Sequence, residues 1–390
     1  VRLTVKRVVV TGIGLVSALG DREETWQALR WGRSAIRSHQ PFALLPPHPL
    51  ALLGAEPIDL SVLIDQTRAA AWADAGLPEG ADSDGTADRL GVCVGSSRSY
   101  QGAIERLAMG QDPIDASWVD WLPQGPAVRV ARSLGARGPL LAPMSACTTG
   151  ISAIARGADL IREGTCDRVL AGAVESPITP LTLAGFGKMG ALARTGAYPF
   201  DRSREGLVLG EGAALLVLES AEVARSRGAR IYGEVLAAGF STDAHHLSAP
   251  DPTGNGARVA VETALKRSGW QPDRVQYIHA HGTATALNDR QEARLIQDLF
   301  PTDTAVSSTK GATGHTLGAS GALGVAFSLL AMRDQILPPC VGLRDPEFAG
   351  HWVRQAIDCP LERALCFAFG FGGQNAAIAL QQFPLRRRHG

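Results

Sequence analysis

Short apolar runs rich in β-branched or small residues recur along the 390-residue chain: VVV at 8–10, LGVCVG at 90–95, RVLAGAVE at 168–175, ALLVLE at 214–219, YIHAHG at 277–282, CFAFGFGG at 366–373 and NAAIALQQF at 375–383. Each has the length and flanking turns of a buried strand. Between them lie segments with helical spacing, among them ETWQALRWG at 24–32, ISAIARGADLIREG at 151–164, GARVAVETALKRSG at 256–269 and GVAFSLLAMRDQ at 324–335. This alternation predicts an α/β protein whose mixed sheets are covered by helices. Residues 41–57 and 110–126 are proline-rich or irregular and read as surface excursions, poor places for core elements.

SACTTGISAIARGADLIREG (145–164) and TGHTLGASGALGVAFSLLAMRD (313–334) each put a reactive-type residue ahead of a helix rich in small residues and ending in charge. Glycine in a helix costs up to about 1 kcal/mol relative to alanine, so close packing between sheets is the expected compensation. The pair points to duplication, with halves at 1–230 and 231–390, divided where the charged helix end in SRGARIYGEV gives way to a new strand.

Composition narrows the function. Lys plus Arg equals Asp plus Glu at 38 each, so no global field draws the chain to nucleic acid or an anionic membrane. Arg386–Arg388 read as a solvated tail. Six cysteines with no CxxC pair suggest neither a disulfide framework nor a zinc knuckle and fit a reducing cytoplasm. KRVVVTGIGLVSALG (6–20) superficially resembles a secretory signal, but β-branched residues, two glycines and the following DREE read instead as a first strand, a glycine turn and a helix start. No stretch reaches the roughly 18 apolar residues needed to span a bilayer, and a soluble protein is expected.

Chemistry concentrates at four places. Cys147 in SACTTG precedes a helix, whose N-terminal N–H groups would favour a thiolate; taken alone, such a cysteine is as easily a packed core residue. His281 stands at the end of a strand before Gly282. His315 follows two glycines, with Lys310 five residues earlier. His279 and His281 share a strand face, so a metal site is conceivable, but close ligand pairing and carboxylates are lacking and no metal is expected. FAFGFGGQN (367–375) is not a GxGxxG dinucleotide fingerprint; its glycines suit a backbone donor loop that could join the Cys147 N–H in holding an oxyanion.

Together SACTTG, AYPFDRSREGLVLGEGA, HAHGTAT, STKGATGHTLGASGA and FGFGGQN resemble the elongating β-ketoacyl-acyl carrier protein synthases, in the family's order and over nearly the whole chain. The resemblance implies the thiolase fold, two βαβαβαβββ halves in a five-layer αβαβα arrangement, and a dimer with itself or with a ketosynthase-like subunit. It implies an acyltransferase with no bound cofactor, whose substrates ride on the phosphopantetheine of acyl carrier protein. By motif, Cys147 takes the acyl chain, the N–H groups of Cys147 and Phe371 hold the oxyanion, and Phe371 gates the acyl pocket. His281 and His315 bind the malonyl thioester carbonyl, Lys310 organises the charge around His315, and Thr283 and Thr285 hold the phosphopantetheine arm. Arg202 and Arg204 resemble basic residues that meet the carrier protein.

Three departures stand out. Gly324 occupies the place of a glutamate that contacts the catalytic lysine in the family. Ser97, Arg98 and Tyr100 replace small or apolar residues where the acyl pocket is usually lined, which makes Arg98 a substrate-binding candidate. Residues 41–90 are short and lack the family's basic run. These departures favour polyketide or polyene assembly over ordinary fatty-acid elongation. The competing readings are a noncatalytic chain-length partner, against which Cys147, His281 and His315 argue, and a degradative thiolase.

Overall fold

A computed structural model describes residues 6–78, 87–112 and 116–383, which leaves Arg386–Arg388 outside the described residues. Strands Val8–Ser17, Leu90–Gly95, Leu140–Leu141, Arg168–Glu175 and Gly212–Ser220 pair in the spatial order third, second, fourth, fifth, first. Gly233–Thr242, Tyr277–His279, Ala305–Ser307, Arg363–Gly370 and Gln374–Gln381 repeat that order. They repeat its sense too, the first two contacts being parallel and the last two antiparallel in both sets. Each half adds one short strand, Gly20–Asp21 and His351–Trp352. Val9 and Val10 pair with Glu234 and Gly233, which joins the two sets into a single twelve-stranded sheet, with Gly20–Asp21 branching off the first strand.

The helices Thr149–Arg162 and Ser320–Asp334, the two similar segments of the sequence, lie together between the half-sheets. Their approach is so close that a Cβ on Gly150 would stand 2.4 Å from the Ala322 nitrogen, which is why glycine is tolerated there despite its helix cost. Ile151, Ile154, Val325 and Phe327 join sheet residues of both halves in one buried cluster. Leu60–Asp74 and Gly125–Leu134 cover the outer face of the first half-sheet, and Asn255–Ser268 and Ala286–Leu299 cover the second. The result is the five-layer thiolase arrangement.

Two expectations change. The first strand continues through Gly12 and Gly14, with a register shift between Val10 and Gly12, and turns only at Ala18–Leu19, before a helix capped by Asp21 and Glu24. These glycines serve packing: a Cβ on Gly14 would meet the Thr67 carbonyl at 2.0 Å. The 41–57 segment also supplies core. Strand His48–Ala51 pairs with Leu209–Gly210, and Leu50 is fully buried in the apolar cluster that holds Cys147. Among the described residues, no helix is long and apolar enough to cross a membrane.

Candidate active site

Cys147 sits in a tight turn ahead of its helix, after Ala146 in the left-handed region at φ 48°. The helix start does less for the sulfur than the sequence suggested. The Thr148 and Thr149 N–H groups bond back to the Ser145 and Ala146 carbonyls, at 3.0 and 3.2 Å. The backbone N–H that reaches the sulfur belongs to Phe371, in the glycine loop of the other half. Burial pushes the thiol up to about 11, opposed by the Lys310 charge and the Phe371 N–H, so the resting residue is a protonated thiol rather than a helix-stabilised thiolate. Alkylation of Cys147 by a small neutral electrophile is therefore expected to accelerate about tenfold per pH unit from neutrality upward. Lys310→Met shifts that profile to higher pH; a plateau already reached near pH 7 would contradict it.

His281 and His315 converge on the thiol. One ligand-type atom from each of Cys147, His281 and His315 lies within 4.8 Å of the others, and all three residues are buried. The imidazoles stand edge to face with centroids 5.4 Å apart. Their tautomers follow from their partners. The Leu317 N–H can only donate, and it does so to His315 Nδ1 at 3.1 Å, with the Ser320 hydroxyl at 2.9 Å, so the proton rests on Nε2. The Lys310 ammonium, 3.4 Å from His281 Nδ1, acts likewise on His281 and also donates to its carbonyl. Burial, reinforced by Lys310, holds both rings well below the usual histidine range. The site thus presents two neutral imidazoles, each with an Nε2–H to donate. The same donor types could bind a transition metal, but an ammonium beside His281 opposes a cation there and His315 Nδ1 is already engaged.

Two carboxylates fix the histidine loop, and sequence reasoning passed over both. Glu292 accepts the His281 and Gly282 N–H groups at 2.6 and 2.7 Å, and Asp289 accepts those of Phe200 and Ala284, residues held at φ 62° and 66°. Burial raises Asp289 to about 6 and pushes Glu292 upward as well, opposed at Glu292 by the Gly282 and His281 N–H groups and the Lys310 charge. Their signal was the three-residue spacing that sets both on one helical face directly after HGTAT.

The Gly324 departure has a steric explanation. A Cβ there would meet His279 Nδ1 and Cys366 Sγ, each at 2.7 Å. His279, buried and bonded through Nε2 to the Thr309 hydroxyl at 3.2 Å, fills the volume. Burial, then Lys310, lowers it to about 3, so it is neutral. Lys310 is left with Glu292 as its main opposing charge. Gly324→Ala is expected to destabilise the fold by about 1–3 kcal/mol through overpacking, read from the urea midpoint; an unchanged midpoint would mean that His279 swings aside freely.

The remaining predicted residues divide. A cavity of about 330 Å³ in front of the thiol is lined by Phe186, Thr283, Thr285 and Phe371 among others. The two threonine hydroxyls are 2.9 Å apart. A Cβ on Gly370 would lie 2.9 Å from the Cys147 nitrogen, so the glycine loop packs directly on the nucleophile's backbone. Phe371 stacks on Phe186 at 5.7 Å, and the Arg98 guanidinium lies 5.8 Å from the Phe186 centroid. Arg202 is exposed and pairs with Asp345. The Arg204 side chain is 3% exposed, paired with Glu347 and set over Phe348, so of the two arginines Arg202 is the one that presents its charge at the surface.

Residues 59–224 match the β-ketoacyl synthase N-terminal domain, and residues 232–344 match its C-terminal domain. The 3-oxoacyl-[acyl-carrier-protein] synthase 2 of Coxiella burnetii is 33% identical over 97% of this chain and 99% of its own; that of Staphylococcus aureus N315 is 34% identical with the same coverage. Similar solved structures include the ishigamide ketosynthase/chain length factor, at TM-score 0.89, 29% identity and 98% and 100% coverage. Another holds a type II PKS acyl-carrier protein in complex with its ketosynthase bound to the hexaketide, at TM-score 0.90, 27% identity and 97% and 100% coverage. With the repeated half-sheets and the Cys147, His281 and His315 cluster, these likenesses show that the chain belongs to the β-ketoacyl synthase family.

Proposed function

We propose that this chain performs decarboxylative Claisen condensation, joining an acyl group held on Cys147 to malonyl-acyl carrier protein to give 3-oxoacyl-acyl carrier protein. The observation that carries the reading is the convergence of one thiol and two neutral, Nε2-protonated imidazoles on a single cavity.

In the first half-reaction the Cys147 sulfur attacks the acyl thioester carbonyl. A carbon–sulfur bond forms, the N–H groups of Cys147 and Phe371 hold the oxyanion, and collapse expels the pantetheine sulfur, which takes up the cysteine proton. In the second, His281 and His315 donate from Nε2 to the malonyl thioester carbonyl. Carbon dioxide leaves, its bonding pair passes into the enolate, and the resulting carbanion attacks the acyl-cysteine carbonyl. The carbon–sulfur bond then breaks, and the departing thiolate takes a proton from solvent to regenerate the thiol. Thr283 and Thr285 line the route of the phosphopantetheine arm, Lys310 keeps His281 neutral and oriented, and the enzyme carries no cofactor of its own.

Arg98 over Phe186, against the Phe371 stack, favours a specialised acyl chain of the polyketide or polyene kind. Tyr100, Met109 and Leu181 line a neighbouring apolar groove. With Met109 and Leu181 60% and 62% exposed, that groove calls for a partner subunit to cover it. Acyl carrier protein is the substrate-bearing partner, with Arg202 as a docking residue; the halves divide near residue 230; and the free cysteines suit the cytoplasm. Extension assays with malonyl-carrier protein and primers of graded length and unsaturation test the reading. Robust activity only on long saturated primers would remove the specialised chain, and no activity on any primer would favour the noncatalytic partner.

A further inference from the structure

Glu175 ends the central strand of the first half and is completely buried, yet the condensation chemistry makes no direct use of it. Its Oε1 accepts the Ser96 hydroxyl at 2.6 Å and the Arg98 N–H at 2.9 Å. Its Oε2 accepts the Ser97 N–H at 2.9 Å, the Ser97 hydroxyl, and, from the other half of the chain, the Gly318 N–H at 2.8 Å. A Cβ on Gly318 would lie 2.6 Å from Oε2 and 2.9 Å from the Ser97 nitrogen, so the three segments meet with no slack.

Both loops held by this carboxylate are strained. Ser99 stands at φ 50° and Leu317 at φ 42°, conformations a side chain resists unless its surroundings impose them. Leu317 is the residue whose N–H fixes the His315 tautomer. The anchor at Gly318 is its immediate neighbour. We propose that Glu175 is a positioning residue for the decarboxylating half-reaction: it pins Gly318, holds the Leu317 N–H on His315 Nδ1, and ties that geometry to the Ser96–Arg98 wall beside the Phe186–Phe371 stack. The inference rests on the condensing reading above.

Glu175→Gln tests it, because an amide accepts at one end only and would oppose a backbone N–H with its own donors at the other. The Glu175 charge also holds the Cys147 thiol up, so acyl transfer to Cys147, followed by intact mass, should be unchanged or faster, while release of labelled carbon dioxide from malonyl-carrier protein should fall roughly 10- to 100-fold, less than deletion of an oxyanion donor outright. Histidine ¹⁵N NMR should show His315 as the Nε2–H tautomer in the parent and a mixture in E175Q. Equal losses in both half-reactions, no loss in either, or an unchanged tautomer would overturn the proposal. Should E175Q not fold, Gly318→Ala separates the same two outcomes. A parent protein that accepts no acyl group would defeat the condensing reading instead, leaving the tautomer measurement to judge Glu175.

Discussion

Cys147→Ala is expected to abolish chain extension, with turnover reduced by at least about 10⁴-fold, because the acyl group then has no covalent station in the cavity. Decarboxylation should survive the change. His281 and His315 owe their positions to Glu292, Lys310, Leu317 and Ser320 rather than to the thiol. The variant therefore still releases carbon dioxide from malonyl-carrier protein while giving no 3-oxoacyl product. Its fold should persist, since the substitution removes one sulfur from a site that already borders a cavity. Extension continuing in Cys147→Ala would refute the nucleophile assignment.

His315→Ala is expected to give the opposite split. Removing one of two Nε2–H donors from a developing enolate costs about 10²- to 10³-fold in the step it serves, so decarboxylation and condensation fall together. Acylation of Cys147 proceeds, because the oxyanion of that step is held by backbone N–H groups of Cys147 and Phe371. Labelled acyl-carrier protein and labelled malonyl-carrier protein, supplied separately, read the two half-reactions. A parallel loss of acylation would mean that His315 is the base for the thiol, and the division of labour between the residues would have to be redrawn.

The sequence displayed the parts of this site that are local. Cys147 with its helix, His281 before Gly282, His315 with Lys310, and the 370–373 glycine loop each announce themselves within a dozen residues. The duplication was legible too, because both central helices must be thin enough to pack against each other, and thinness shows as glycine and alanine. Contacts between distant segments were not legible. Glu175 reaches Gly318 across 143 positions and His279 fills the space above Gly324, and neither relation leaves a periodic signature. The surroundings of Arg204 were hidden for the same reason: Glu347 and Phe348, which pair with it and lie under it, are at least 143 positions away. The thiolate expectation weighed the helix end and omitted burial, which dominates at Cys147.

The central claim, that Cys147 carries the acyl chain while the two histidines generate the carbanion, is tested most directly by a single-turnover mass measurement. The protein is incubated with an acyl-carrier protein, digested and mapped, then a matched sample is chased with malonyl-carrier protein. One acyl adduct is expected on the Cys147 peptide, and it disappears in the chase as 3-oxoacyl-carrier protein two carbons longer appears. An adduct on another residue, or one on Cys147 that persists through the chase while malonyl is decarboxylated, would contradict it.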